Sequence, residues 1–196
     1  MKKISKKTSA KSSKGYLGGS AFGGKKLQNQ ITKLLDAAKV KYNVLEHKVV
    51  YTAHDVGQTT KKKLGEIAKV VLVKVDGNSR EDDPLAARGS SSLSWVLIVL
   101  PAGKYLDLAG IKKALKAKKV SIASEKDILK HLKTKVGLLH PFGSQYKIQT
   151  LLDKGMAKSK KMIASAGSFT HSVELSLKDF ERLTQPIKGM FAKKNR

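Results

Sequence analysis

The segments Ile67-Ala-Lys-Val-Val-Leu-Val-Lys-Val75 and Trp95-Val-Leu-Ile-Val-Leu100 carry apolar side chains on both faces of any strand they could form. A strand with one wet face alternates apolar and polar residues, so segments of this kind belong inside a sheet that is covered on both sides. They predict the centre of that sheet. Neither can cross a bilayer, because Trp95 to Leu100, even with Pro101 and Ala102 behind it, falls far short of the ~20 apolar residues a span requires. Between the two lies Asp76 to Ser94, with Asp-Gly, Pro, Gly, serines and four acids, Asp76, Glu81, Asp82 and Asp83. It reads as an exposed, elongated hairpin loop.

Helical and strand rhythms flank this pair. Leu27, Ile31, Leu34, Leu35 and Ala38 recur at helical spacing, and Val40, Tyr42 and Val44 then alternate with Lys41 and Asn43 as in a strand. Thr52-Ala-His-Asp55 and Ser124-Glu-Lys-Asp127 both have the spacing of a capping box ahead of a helix. Asp107 is placed to cap a helix carrying Leu108, Ile111 and Leu115, and Val120-Ser-Ile-Ala supplies a short strand. Strands are expected at Lys147 to Leu152, Lys161 to Ala166 and His171 to Leu175, then a helix capped at Ser176 and ended by Pro186. The interleaving predicts a mixed α/β fold in a single compact domain, with a mixed, partly antiparallel sheet and helices packed on it.

Charge narrows the function. The 196 residues hold 40 Lys+Arg against 15 Asp+Glu, a formal net charge of +25, which favours phosphate-rich partners and nucleic acid first among them. Residues 1–26 contain eight lysines and no acid, with no apolar periodicity, and are expected to be a basic disordered arm. Ile4 is the only large apolar side chain before Tyr16, so the apolar run of an export signal is missing and a cytoplasmic location is expected. The domain itself is expected over residues 27–191 and 192–196 reads as a basic tail; once the arm is removed, residues 27–196 still hold 32 basic and 15 acidic residues. A lipid-anchoring use of the same lysines would call for an amphipathic helix with a basic polar face and a bulky aromatic side, which the sequence does not offer.

Several chemistries are absent from the pattern. Zero cysteines exclude disulfides and thiolate nucleophiles. Gly19 to Lys26 imitates a phosphate-binding loop until Lys26 stands where the magnesium-binding hydroxyl belongs, and no strand precedes it. The histidines at 47, 54, 131, 140 and 171 show no metal-ligand spacing, and there is no Gly-x-Ser-x-Gly elbow. What remains is a lysine, Lys69, within an otherwise buried strand, a Gly137-Leu-Leu-His-Pro141-Phe142-Gly143 loop, and a Ser165-Ala-Gly167-Ser168-Phe-Thr-His171 bend. A cation on a greasy strand either sits at a pocket mouth or snorkels to water.

In this order the features resemble the YbaK-like aminoacyl-tRNA deacylases, relatives of the editing domain inserted in bacterial prolyl-tRNA synthetases. The resemblance spans roughly residues 27–191. It is carried by His47 with Tyr51-Thr52-Ala53, by Ala68-Lys69-Val-Val-Leu-Val, by Leu100-Pro-Ala with Leu106-Asp-Leu108, by Gly137-x-x-x-Pro141-Phe-Gly143, and by Ala166-Gly167-Ser168 before Val173-Glu-Leu175. It implies hydrolysis of an amino acid wrongly esterified to the acceptor end of a tRNA, with no cofactor and no metal, by a protein acting apart from the synthetase. Lys69 falls on the family's essential lysine, and Gly137 and Pro141 on its acceptor-holding loop. His47, Tyr51, Thr52, Phe142, Gly143, Gly167 and Ser168 complete the implied substrate site. His171 lies near a pocket histidine of the inserted domains, at a different spacing from Gly167. The alternative is a non-catalytic tRNA- or RNA-binding module on the same fold.

Overall fold

The computed structural model describes residues 24–76 and 93–194. Most of the basic arm and of the loop between the two apolar strands therefore lies outside the described residues, as do the last two residues of the tail. The described chain runs α1 (Gly24–Ala37), β1 (Tyr42–Glu46), α2 (Ala53–Thr60), β2 (Ala68–Asp76), β3 (Leu93–Pro101), β4 (Tyr105–Leu106), α3 (Leu108–Ala114), β5 (Lys119–Ile122) and α4 (Glu125–Leu132). It continues with β6 (Gln149–Asp153), β7 (Lys161–Ser165), β8 (His171–Ser176), α5 (Leu177–Thr184), β9 (Ile187–Gly189) and β10 (Ala192–Lys193). Among the described residues no helix is long and apolar enough to cross a membrane.

The two apolar strands do form the centre of a five-stranded sheet ordered β5-β2-β3-β6-β9. β2 and β3 pair antiparallel from Ala68↔Pro101 to Asp76↔Leu93, while β3 with β6 and β6 with β9 are parallel, so the sheet is mixed as the sequence predicts. Both faces are covered, which is why both carry apolar residues. On one face Val73, Val75, Ile98 and Leu100 pack with Ile111 of α3 and Phe191. On the other, Leu72 and Leu97 meet Ile128 and Leu132 of α4, and Ala68 and Val99 meet α1, α5 and a second, antiparallel sheet ordered β1-β8-β7. A single parallel bridge, Ile67↔Ile163, ties the two sheets together.

Both capping boxes form as read. The hydroxyls of Thr52 and Ser124 accept the backbone N–H of Asp55 and Asp127, whose carboxylates accept in return. Asp107 and Ser176 precede their helices without a side-chain cap bond. β1 exists, but Val44 is exposed and Leu45 turns inward instead, packing on the cluster of Ile67, Ala102 and Ile163. The helix expected from Leu27 starts at Gly24, and the strand expected from Lys147 starts at Gln149, after a 3-10 turn over Gly143–Tyr146. Ala192 and Lys193, read as the start of a tail, pair with Leu106 and Tyr105. The buried carboxylate of Asp153 fixes that hook by accepting the N–H groups of Gly155, Phe191 and Ala192 at 2.7, 2.7 and 2.9 Å.

A second acid braces the smaller sheet. Glu174 of β8 is buried and bridges Lys62, beyond α2, at 2.9 Å and Lys161 of β7 at 3.0 Å. Hydrogen bonds from the two lysines hold its carboxyl below the ordinary value of 4.5. A depressed carboxylate stabilises the fold above its unfolded value, and that contribution disappears as pH falls through the folded one. The melting temperature of Glu174→Gln should therefore lie below that of the wild type at neutral pH. The gap should narrow once the pH drops below 4.5, as thermal melts across an acid series would record.

Candidate functional site

Successive residues of a strand point to opposite faces, so a cavity lying on one face touches every second residue. The cavity here, about 320 Å³, touches Ile67, Ala68, Lys69, Val70, Val71 and Leu72 in unbroken succession. It therefore lies against the edge of β2. That edge is free for a topological reason: β5 pairs with β2 only from Val73 to Asp76, and the second sheet bridges to the chain only at Ile67↔Ile163, just before β2 begins. Beyond that bridge β7 diverges, and Ile163, Ala164 and Ser165 line the opposite wall.

α2 and three loops close the cavity. Val50, Tyr51, Thr52 and Ala53 enter from the start of α2, Val136 and Gly137 from the loop after α4, and Ser168 from the bend between β7 and β8. Gly137 is required where it stands. Its φ is +84°, and a Cβ would meet the Tyr51 carbonyl oxygen at 2.8 Å and the Phe169 ring at 3.0 Å. The Phe169 ring in turn packs on Tyr51 at 5.1 Å between centroids. Three sequence motifs far apart in the chain thus converge on one rim.

Lys69 also lines the cavity, half-buried. Its ammonium donates to the Lys104 carbonyl and lies 5.3 Å from the centre of the Tyr105 ring. Desolvation lowers its pKa. His47 lines the cavity with its Nδ1 2.9 Å from the Lys48 carbonyl oxygen and its Nε2 3.0 Å from Ser172 Oγ. A carbonyl can only accept, so in neutral His47 Nδ1 carries the hydrogen and Nε2 accepts from the Ser172 hydroxyl. The lone pairs of Ser172 Oγ are left for a further donor. Among the described residues no carboxylate lines the cavity, and most of its wall is aliphatic.

The remaining expected residues are placed elsewhere. Pro141, Phe142 and Gly143 are buried beneath the site: Phe142 packs edge-on against Phe180 at 5.7 Å, and Gly143 is crowded by the Ile148 carbonyl and Thr150 hydroxyl. The Gly-x-x-x-Pro loop thus puts its glycine at the cavity and its proline in the core. Gly167, with φ +75°, shapes the bend and donates its N–H to Ser165 Oγ at 3.1 Å, but it lies outside the lining. So does His171, whose Nδ1 contacts Thr170 Oγ1 at 2.8 Å. His140 is a buried core histidine stacked on Tyr146, its pKa pushed down to about 3 by burial. Sequence reasoning missed Ser172, which carries no local signal, and the open edge itself, which is a property of pairing; Ser165 enters that reasoning only as the first residue of the glycine-containing bend.

A family model described as aminoacyl-tRNA editing domain matches residues 47–183. The prolyl-tRNA editing protein ProX of Acetoanaerobium sticklandii is 24% identical over 155 residues, covering 77% of this chain and 86% of that protein. The multifunctional Ser/Thr-tRNA deacylase ProXp-y of Escherichia coli K12 is 24% identical over 164 residues, covering 83% of this chain and 91% of the relative. Among solved structures, hypothetical protein APE2540 superimposes with a TM-score of 0.70 at 16% identity, over 84% of this chain and 99% of that one. A proposed trans-editing enzyme for prolyl-tRNA synthetase gives 0.66 at 15%, over 85% and 97%. These two structural likenesses bear on the fold.

The His47–Ser172 pair is testable by itself. Ser172→Ala leaves Nε2 of His47 without its donor and should cost about 1–2 kcal/mol of stability. In ¹⁵N spectra the imidazole should show the Nδ1–H form in the wild type, and the Nε2 resonance should move in the variant.

Proposed function

The chain belongs to the aminoacyl-tRNA editing domain family, and we propose that it removes amino acids wrongly esterified to tRNA, acting in trans as a hydrolase in the cytoplasm. The observation that carries this reading is Lys69 in the cavity lining. Its ammonium is partly desolvated and, among the described residues, meets a neutral carbonyl and a ring, where a carboxylate would have neutralised it. A cation in that state gains on meeting an anion, and the terminal phosphodiester of an acceptor end supplies one. The exposed face of Tyr51, 65% accessible, offers a surface against which a base can stack.

With the acceptor end on Lys69 and the loop of Gly137, the aminoacyl group reaches the aliphatic cavity. The chemistry asks little of the protein, because an aminoacyl ester is already activated. Water adds to the ester carbonyl carbon and loses a proton, and the carbonyl oxygen becomes an oxyanion. The ester C–O bond then breaks as the ribose oxygen takes up a proton, giving free amino acid and tRNA. The neighbouring ribose hydroxyl is placed to orient the water. Positioning and hydrogen bonds to the oxyanion are the available sources of rate. The α-ammonium of the substrate meets no acid in the lining, and the lone pairs of Ser172 Oγ, whose proton is committed to His47, are suited to it.

Against a panel of mischarged tRNAs, the purified protein should release amino acid, and Lys69→Ala should lose about 10²-fold in kcat/KM with its circular dichroism unchanged. Binding without ester loss would favour the non-catalytic module, and full turnover by Lys69→Ala would remove that lysine from the mechanism. Deleting residues 1–23, which spares α1, should flatten the salt dependence of tRNA binding by about 0.7–0.9 per lost phosphate contact. Turnover of saturating substrate should change little.

A further inference from the structure

The direction of each peptide group along β2 is fixed by its bonded neighbours. The Ile67 carbonyl accepts from Ala102 N–H, so odd-numbered residues turn their N–H and C=O toward β3. The Glu66 carbonyl accepts from Ile163 N–H, and the Leu72 carbonyl from Ala123 N–H. Even-numbered residues therefore turn the other way, toward β7 at one end and β5 at the other. Val70 lies between, where neither β5 nor β7 pairs with β2, and it lines the cavity. Both of its main-chain groups face the cavity.

We infer that the aminoacyl group docks on this open edge as a one-residue antiparallel strand, paired with Val70. The inference rests on the deacylase reading and goes beyond it by assigning the polar contacts of the reacting group. An α-aminoacyl ester is N–Cα–C=O, which is the same chemical unit as one residue of a strand. In the hydrogen-bonded pairs of an antiparallel ladder, two residues exchange both of their bonds. Docked in that way, the Val70 N–H donates to the ester carbonyl oxygen and the Val70 C=O accepts from the α-ammonium. As water adds and charge collects on the carbonyl oxygen, the Val70 N–H becomes its oxyanion donor. This is edge-strand addition of the kind by which folded domains bind extended peptides, shortened to a single residue.

The geometry also explains why the gap stays open. The parallel bridge at Ile67↔Ile163 and the antiparallel pairing that starts at Val73↔Ile122 pin the two ends of the exposed stretch. With both ends held, β2 cannot close onto either neighbour without losing one of those contacts. Aliphatic side chains from both faces, Val71 on one and Leu72 on the other, flank the edge and limit competition from water.

Replacing Val70 by its α-hydroxy acid converts one amide to an ester, which deletes that N–H and weakens the Lys69 carbonyl as an acceptor from β3. The expected result is a loss of about 10²–10³-fold in kcat on mischarged tRNA, with the melting temperature close to that of the wild type. The same replacement at Val73, whose N–H faces β3 and which lies outside the cavity lining, should lower the melting temperature and leave kcat within a few fold. Val70→Pro, which also deletes the N–H while sparing the ladder, should behave as the α-hydroxy acid variant does. Full turnover by the folded Val70 variants would overturn the assignment. Binding is read separately, by titrating ¹⁵N-labelled full-length protein with an amide-linked 3′-aminoacylamino-3′-deoxyadenosine. The largest amide shift and the slowed hydrogen exchange are expected at Val70; shifts confined to Gly137 and Gly167 would overturn the docking mode. If the wild type hydrolyses no member of the panel, the deacylase reading fails, and the Val70 amide response still decides whether the edge holds an aminoacyl group.

Discussion

An unpaired strand edge in the interior of a protein is a constraint on everything around it. Buried main-chain N–H and C=O groups without partners are costly, so such a gap persists only where something keeps the neighbouring strands apart. Here β5 runs out at Ile122, where Ala123 and the capping box of Ser124 turn the chain into α4. On the other side β7 is held by β8 through five paired residues and is bridged at one point, Ile67↔Ile163, at the start of β2. The cavity is the space these two departures leave. Its loops are secondary, since Tyr51, Gly137 and Ser168 only roof a crevice that strand pairing has already made, much as ligands lodge where strands separate in open α/β sheets.

Charge is distributed in keeping with that geometry. The chain has few acids, and several of them are spent on architecture, among them Glu174 between two lysines and Asp153 on the Gly155 amide and two backbone amides of the C-terminal hook. The hook has a bearing on the site, because β10 pairs with β4 and so sets Tyr105, the ring beside the Lys69 ammonium. None of the acids among the described residues lines the cavity. A carboxylate there would pair with Lys69 and repel both phosphate and developing oxyanion, whereas hydroxyls and main-chain groups can serve a cationic amine and an anionic carbonyl oxygen within the same few ångströms.

Much of the scaffold was legible from residue pattern. The doubly apolar strands announced the sheet centre, and the two capping boxes located α2 and α4 to the residue. Helix ends were harder to read, because the usual glycine is missing: α2 and α4 close at Lys61 and Lys133 in left-handed conformation, and a lysine in a lysine-rich chain carries no stop signal. The site was half legible for a related reason. Gly137 and Gly143 look alike in sequence, yet one has a positive φ at the cavity and the other is a spacing requirement in the core. His47 meets Ser172 across 125 positions, and β9 and β10 are too short to show periodicity. The open edge could not be read at all, since it depends on where β5 stops pairing, and burial patterns report faces rather than edges.

Main-chain docking would also divide the work of recognition. If β2 holds N–Cα–C=O, the Cα of every substrate falls at the same point, and the side chain must project into whatever space the aliphatic wall allows. Such a wall excludes side chains that are too large, but it discriminates weakly downward, since one methylene in an apolar pocket changes the rate by only about 10–200-fold. A small amino acid correctly attached to its own tRNA would fit as well as the same amino acid wrongly attached to another. Sparing the correct pair then has to depend on the nucleic acid, and a stand-alone protein must make those contacts with its own surface. On that logic the excess of lysine over acid belongs to selectivity as much as to affinity: the cavity sets an upper limit on the amino acid, and the basic surface decides which tRNA stays bound long enough to lose it.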